Sequence, residues 1–126
     1  MRRKIIVLIT AMMLVVGMVA ATSLAGTKTK VQYGTTTAQL IKKYTNSGTS
    51  KTIYGHLSPA ATSPAAYLTI WDSYESVIRD REMYFAYPPN TNNVSYVMGA
   101  YETVKLIVTP VSSGYYVWGE AEWWTS

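Results

Sequence analysis

The feature that most constrains the fold is the lack of helical periodicity after residue 25. Short runs of Thr, Val, Tyr, Ile and Trp alternate there with clusters of Gly, Pro, Asn and Ser. β-Branched and aromatic residues favour strands, and the clusters favour the turns between them. No segment keeps apolar residues at a spacing of 3.6. We therefore predict an all-β fold, a small antiparallel β-sandwich of about six to eight strands.

Strands are expected where alternating or apolar runs lie between turn signals. The segment 38–44 fits either one helical turn or a strand, and 75–83 fits either a strand or a turn. Gly99 is expected to form a bulge or bend, so 94–109 forms either two strands or one bent strand. The segment 111–114 is interpreted as a hairpin turn, with 115–124 as its return strand. The remaining predicted strands are 31–37, 51–57, 66–74 and 83–87.

The first 25 residues have the composition of a secretory signal peptide. Arg2, Arg3 and Lys4 precede an apolar run from 5 to 21, and small residues follow it. A charged start, an apolar core and a small-residue exit are the three parts of such a signal. We predict cleavage after Ala25, or else after Ala21, leaving 26–126 as one secreted, extracellular domain.

The chain contains no cysteine. Disulfides, thiol nucleophiles, cysteine-ligated metals and lipid attachment through cysteine are therefore excluded. Small secreted domains of higher eukaryotes usually carry disulfides. Their absence favours a bacterial source, and we expect a Gram-positive one.

Most of the positive net charge of the chain comes from its first residues. The formal net charge is +4, but residues 26–126 hold eight Lys or Arg and seven Asp or Glu. A general nucleic-acid binder shows a strong basic excess, so we expect no nucleic-acid partner. Five lysines and no acid lie in 26–71, and seven acids and three cations lie in 72–126. The basic first half would suit an anionic partner. Alternatively, the basic and acidic halves would pair with each other within the fold.

The residue inventory argues against an enzyme, a metal site or a cofactor. His56 is the one histidine, so a Ser-His-Asp arrangement would have to use it, and it lies in a predicted strand without an elbow motif. Asp80 and Glu82 alternate with Arg79 and Arg81, which is typical of a salt-bridged edge strand. We therefore predict no catalytic residues, no metal ligands and no cofactor.

The aromatic surplus is the one feature above background. All sixteen aromatic residues lie after residue 25. In the last predicted strand, alternation places one set of five residues on a single face. Aromatic rings beside carboxylates suit stacking against sugars, and the same rings also suit a sandwich core, so both interpretations stay open here. On the sugar-binding interpretation, the predicted ligand-binding residues are Tyr116, Trp118, Glu120, Glu122 and Trp124.

The sequence favours a secreted binding or interaction module. Its ligand would be cell-wall glycan, a protein partner or further copies of itself. The alternative hypothesis is a secreted, bacteriocin-like antimicrobial protein, and no membrane span is expected after cleavage.

Overall fold

A computed structural model describes residues 26–126, which form eight β-strands and no helix. The predicted signal peptide lies outside the described residues. The strands are β1 Thr29–Thr35, β2 Gln39–Thr45, β3 Lys51–Pro59, β4 Ala66–Asp72, β5 Ile78–Tyr84, β6 Val94–Met98, β7 Thr103–Pro110 and β8 Val117–Thr125.

The strands form two four-stranded antiparallel sheets that pack face to face. Sheet A has the order β1-β8-β3-β6, and sheet B has the order β2-β7-β4-β5. This is the strand order of a jelly roll, an eight-stranded sandwich of two Greek keys. The predicted all-β sandwich and its strand number are confirmed.

The core lies between the sheets and is built by alternation along each strand. In β3, Ile53, Gly55 and Leu57 are buried while Tyr54 and His56 are half-buried on the other face, as the sequence predicts. Leu68 and Ile70 of β4 face Val104, Leu106 and Val108 of β7 in the same cluster. All eight strands and the core they enclose therefore lie within residues 26–126.

Several local predictions are settled by the structure. The ambiguous segment 38–44 is strand β2, and 75–83 is a turn followed by β5. The predicted strand 83–87 is wrong beyond Tyr84, because 85–93 connects β5 to β6. Gly99 lies in the turn between β6 and β7, which belong to different sheets, so 94–109 is not one bent strand.

The predicted hairpin between 101–109 and 115–124 is wrong. β7 pairs with β2 and β4 in sheet B, whereas β8 pairs with β1 and β3 in sheet A. Turn residues mark where the chain reverses, but they do not determine whether the next strand joins the same sheet. Here the chain crosses between the sheets because both strands are central and already have two neighbours.

Side chains from sheet B cover both edges of sheet A. At β1, the Gln39 amide accepts a hydrogen bond from Gly34 N at 2.9 Å and donates one to Gln32 O at 3.3 Å. At β6, the Asp80 carboxylate accepts one from Ser95 N at 2.8 Å. Unpaired strand edges are templates for another chain, so these two residues occupy positions where strand addition would begin.

Candidate functional site

Strand β8 places Trp118, Glu120, Glu122 and Trp124 on the outer side of sheet A; we call these four residues the β8 face. They alternate with Val117 and Ala121, which are fully buried in the core. The outward set runs from Trp118 to Trp124, six steps along the strand, or about 20 Å at the usual rise per strand residue. The geometry excludes the interpretation in which this set forms the sandwich core.

Tyr116 and Trp118 form a stacked pair at one end of the β8 face. Their ring centroids are 5.6 Å apart and their planes differ by 23°. A side chain at Gly34 would clash with the Tyr116 hydroxyl, so the glycine on β1 makes room for this ring. Tyr116 is 52% exposed and precedes the first residue of β8. The Tyr116 ring and the accessible part of the half-buried Trp118 ring therefore offer an aromatic surface to solvent.

The backbone of Trp118 is held by the connection between β3 and β4. Trp118 N donates to Ser63 Oγ at 3.0 Å, and Trp118 O accepts from Ala60 N at 3.0 Å. The neighbouring Gly119 lies against the backbone of Ser58 and Pro59. This connection therefore fixes the position of the half-buried Trp118 ring.

The two carboxylates of the β8 face lie opposite lysines of the N-terminal segment. Glu120 Oε1 is 3.7 Å from Lys30 Nζ, and Glu122 Oε2 is 3.9 Å from Lys28 Nζ. Gln32 Nε2 also donates to Glu120 Oε2 at 3.2 Å. The ion pairs are long and partly exposed, so solvent screens them and they contribute little stability. Both carboxylates keep oxygen lone pairs free for hydroxyl donors.

Trp124 differs from Trp118 because other side chains cover it. Its ring stacks on Tyr54 with centroids 5.4 Å apart and planes 12° from parallel. Lys28 Nζ lies 4.6 Å from the Trp124 ring centroid, within cation–π distance. Only 9% of Trp124 is exposed. Its main contribution is to packing, although its edge still borders a cleft.

That cleft, of about 360 Å³, lies between the far end of the β8 face and the connection after β5. The loop is pinned at Asn92, whose carbonyl accepts from Tyr84 Oη at 2.8 Å and lies 3.0 Å from His56 Nδ1. A carbonyl is only an acceptor, so Nδ1 carries the proton of this hydrogen bond. The cleft is lined by Lys28, His56, Pro89, Asn90, Thr91, Asn93, Glu122 and Trp124.

Sequence reasoning did not place His56 or the 89–93 loop in this site. His56 lies directly opposite Glu122 in the β3–β8 register, and the loop reaches both residues from sheet B. No local pattern carries this information, because the pairing joins segments more than 60 residues apart.

A larger cleft, of about 450 Å³, lies near the turn between β4 and β5. Its charged groups already bind one another. Arg79 Nη2 donates to Asp72 Oδ2 at 2.9 Å and to Glu75 Oε2 at 3.2 Å. Tyr96 Oη donates to Glu102 Oε2 at 2.6 Å, and this bond raises the pKa of Tyr96. Two groups of this cleft are exceptions: Arg79 Nε is buried without a hydrogen-bond partner among the described residues, and Lys43 lines the cleft without a salt bridge there. Because its carboxylates already bind other side chains of the fold, we consider this cleft structural.

The salt-bridged edge strand predicted around Arg79 and Arg81 is present in a different form. β5 is an edge strand, and Arg79 pairs with Asp72 and Glu75 rather than with Asp80 or Glu82. Among the described residues, no group of three or more His, Cys, Asp or Glu side chains is placed to hold a metal ion.

No known family model matches the chain, and no curated protein is significantly similar in sequence. One solved structure that resembles it is described as "Bacillus endospore appendages form a novel family of disulfide-linked pili". The match has a TM-score of 0.36 and 13% sequence identity, over 79% of this chain and 88% of that one. At that level of similarity it carries no information about function. Within residues 26–126, no helix is long and apolar enough to cross a membrane.

Proposed function

We propose that this chain is an extracellular, non-catalytic module that binds an extended glycan along the β8 face. The observation that carries the proposal is the stacked pair of the exposed Tyr116 and the half-buried Trp118, next to Glu120 and Glu122 on the same sheet face. Flat rings stack on the apolar faces of sugars, and carboxylates accept hydrogen bonds from their hydroxyl groups. The signal-like first 25 residues support placement outside the cell.

The cleft beside Trp124 extends the proposed site beyond the aromatic pair. It supplies the amide side chain of Asn93 and the free edge of His56, whereas the Asn90 amide is already hydrogen-bonded to Glu82, Met83 and Asn92. Amide and imidazole groups both donate and accept hydrogen bonds, and carboxylates accept them, so together they match sugar hydroxyls. An oligosaccharide that stacks on Trp118 at one end would reach this cleft along the row of Glu120 and Glu122.

The proposal is tested with soluble peptidoglycan fragments and chitohexaose as probes, titrated calorimetrically against residues 26–126. We expect Trp118→Ala to weaken binding by about tenfold, since an aromatic contact is lost, with no change in melting temperature. Trp71→Ala, on the opposite sheet, is the matched control and should bind like the wild type.

Trp124→Ala separates packing from binding. Because this ring is covered, we expect it to lower the free energy of unfolding by about 3 kcal/mol, as for a buried tryptophan. The proposal is overturned if neither probe binds, or if Trp118→Ala and Trp71→Ala bind equally well.

A further inference from the structure

The outer face of sheet B has a chemistry that sequence reasoning missed. Its outward residues are identified by the strand register and by alternation with the buried Leu68, Ile70, Val104, Leu106 and Val108. We call this set the cationic face, and it consists of Leu40, Lys43, Thr45, Tyr67, Thr69, Trp71, Ile78, Arg81, Met83, Thr103, Lys105, Ile107 and Thr109.

The charges of the cationic face are all of one sign. Lys43 and Lys105 are directly opposite each other on β2 and β7, and Arg81 lies on β5. None of the three makes a salt bridge within residues 26–126. The acids of β5, Asp80 and Glu82, pair with the inward positions Ile70 and Leu68. The strand positions of the face therefore hold three cations and no carboxylate, and at one end Lys43 borders the cleft that contains Asp72, Glu75 and Glu102.

Arg81 lies flat across the face instead of extending into solvent. Its Nε donates to Thr69 Oγ1 at 3.1 Å, and its guanidinium carbon lies 4.9 Å from the Tyr67 ring centroid. Thr69 is only 1% exposed although it points outward. The cation is thus held over an aromatic ring, in a fixed position on a flat surface.

Apolar side chains lie between these cations. Leu40 is 52% exposed and Ile78 is 40% exposed. Tyr67, Trp71, Met83 and Ile107 are half-buried on the same side. Leu40 and Ile78 lie on the two opposite edge strands of sheet B, so exposed aliphatic side chains stand at both sides of the half-buried apolar centre of the face.

We propose that the cationic face docks on an anionic lipid surface. Lys and Arg attract the negative headgroups, while Trp, Tyr and exposed aliphatic side chains enter the interfacial region. A second copy placed face to face would bring like charges together. A polyanion in solution would leave Leu40 and Ile78 without a partner.

The test is co-sedimentation of residues 26–126 with vesicles of pure phosphatidylcholine and with vesicles that contain phosphatidylglycerol. We expect binding only to the anionic vesicles, and weaker binding at high salt. Lys43→Gln/Lys105→Gln should lower the partition coefficient by about 30-fold in total, since each lysine near the surface contributes about fivefold.

The matched control, Lys30→Gln/Lys51→Gln, removes the same charge away from the cationic face and should bind like the wild type. Leu40→Asn should also weaken vesicle binding, and it should leave any binding to soluble polyphosphate unchanged. The proposal is overturned if anionic vesicles bind no better than neutral ones. Equal loss with both lysine pairs, or no effect of Leu40→Asn on vesicle binding, would also overturn it.

Discussion

Gly119 lies where β8 passes closest to the end of β3. A Cβ atom at this position would stand 2.5 Å from Ser58 O and 2.8 Å from Pro59 Cα. Both are backbone atoms, so they cannot give way by a rotamer change. The glycine allows the approach that positions the neighbouring Trp118.

We expect Gly119→Ala to lower the free energy of unfolding by about 2 kcal/mol, as overpacking does. Gly48→Ala is the control, because a Cβ there would meet no atom within 4 Å. Urea denaturation of both variants measures the difference. Equal stabilities would show that the β3–β8 contact relaxes freely.

Asp72 is the most strongly bonded carboxylate in the described residues, and it is 4% exposed. It accepts hydrogen bonds from Glu75 N at 3.0 Å, Arg79 Nη2 at 2.9 Å and Tyr74 N at 2.9 Å. These bonds hold the pKa of Asp72 well below its usual 3.8. A carboxyl with a lowered pKa stabilises the fold above its unfolded pKa, and that contribution is lost as the pH falls.

Asp72→Asn should therefore lower the free energy of unfolding at pH 7, by about 2 kcal/mol for charged hydrogen bonds. It should also flatten the loss of stability below pH 4 that the wild type shows. Denaturation curves at pH 7, 5 and 3 test both effects. Glu75→Gln is the control, because Glu75 is an exposed partner of Arg79 and its loss should change the free energy of unfolding only slightly. If the stability of Asp72→Asn and that of the wild type changed in parallel with pH, the explanation would be contradicted.

At the scale of elements, the edge strand β1 is protected by one residue of β2. The Gln39 side chain hydrogen-bonds to both the backbone N–H of Gly34 and the backbone carbonyl of Gln32. Gln39→Ala should free these groups and promote self-association through strand pairing. Sedimentation velocity over a range of concentrations measures it. Gln32→Ala removes a side chain on the face and not at the edge, so it should sediment like the wild type. A Gln39→Ala variant that also sediments like the wild type would contradict this role.

The elements show what the sequence can predict. Alternation along β3 and β8 is local, so the sequence alone shows which residues of each strand share a face, but it left open which face of β8 is buried. The assignment of β7 and β8 to different sheets does not follow, because it depends on pairings with β1, β2, β3 and β4. The burial of Trp124 was likewise hidden, since Tyr54 and Lys28 come from distant segments. The cationic face takes one cation from each of three strands, which leaves no cluster in the sequence.

At the scale of the whole molecule, buried tyrosines govern stability in alkali. Burial raises the pKa of Tyr33 to about 12 and raises that of Tyr84 above its usual range. The folded chain thus keeps both protons when the unfolded chain has lost them. The contribution of these two tyrosines to stability is fully present below pH 10. Above pH 10, the free energy of unfolding falls by about 1.4 kcal/mol per pH unit for each tyrosine.

Tyr33→Phe separates the two tyrosines. The Tyr33 hydroxyl is buried and finds no hydrogen-bond partner within residues 26–126. Its removal should raise the free energy of unfolding at pH 7 by about 1 kcal/mol and reduce the slope above pH 10. Chemical denaturation between pH 8 and 12 measures both, and an unchanged slope would show that Tyr33 does not control the alkaline transition.

The two sheets turn their outer faces in opposite directions, and those faces differ in chemistry. The β8 face carries aromatic rings with neutral ion pairs, and the face of sheet B carries uncompensated cations with aliphatic side chains. With the two ligands proposed above, one copy of the chain would be bivalent. A ligand on the β8 face leaves the cationic face free. A single molecule would therefore hold a glycan and a lipid surface together, separated by the thickness of the two packed sheets.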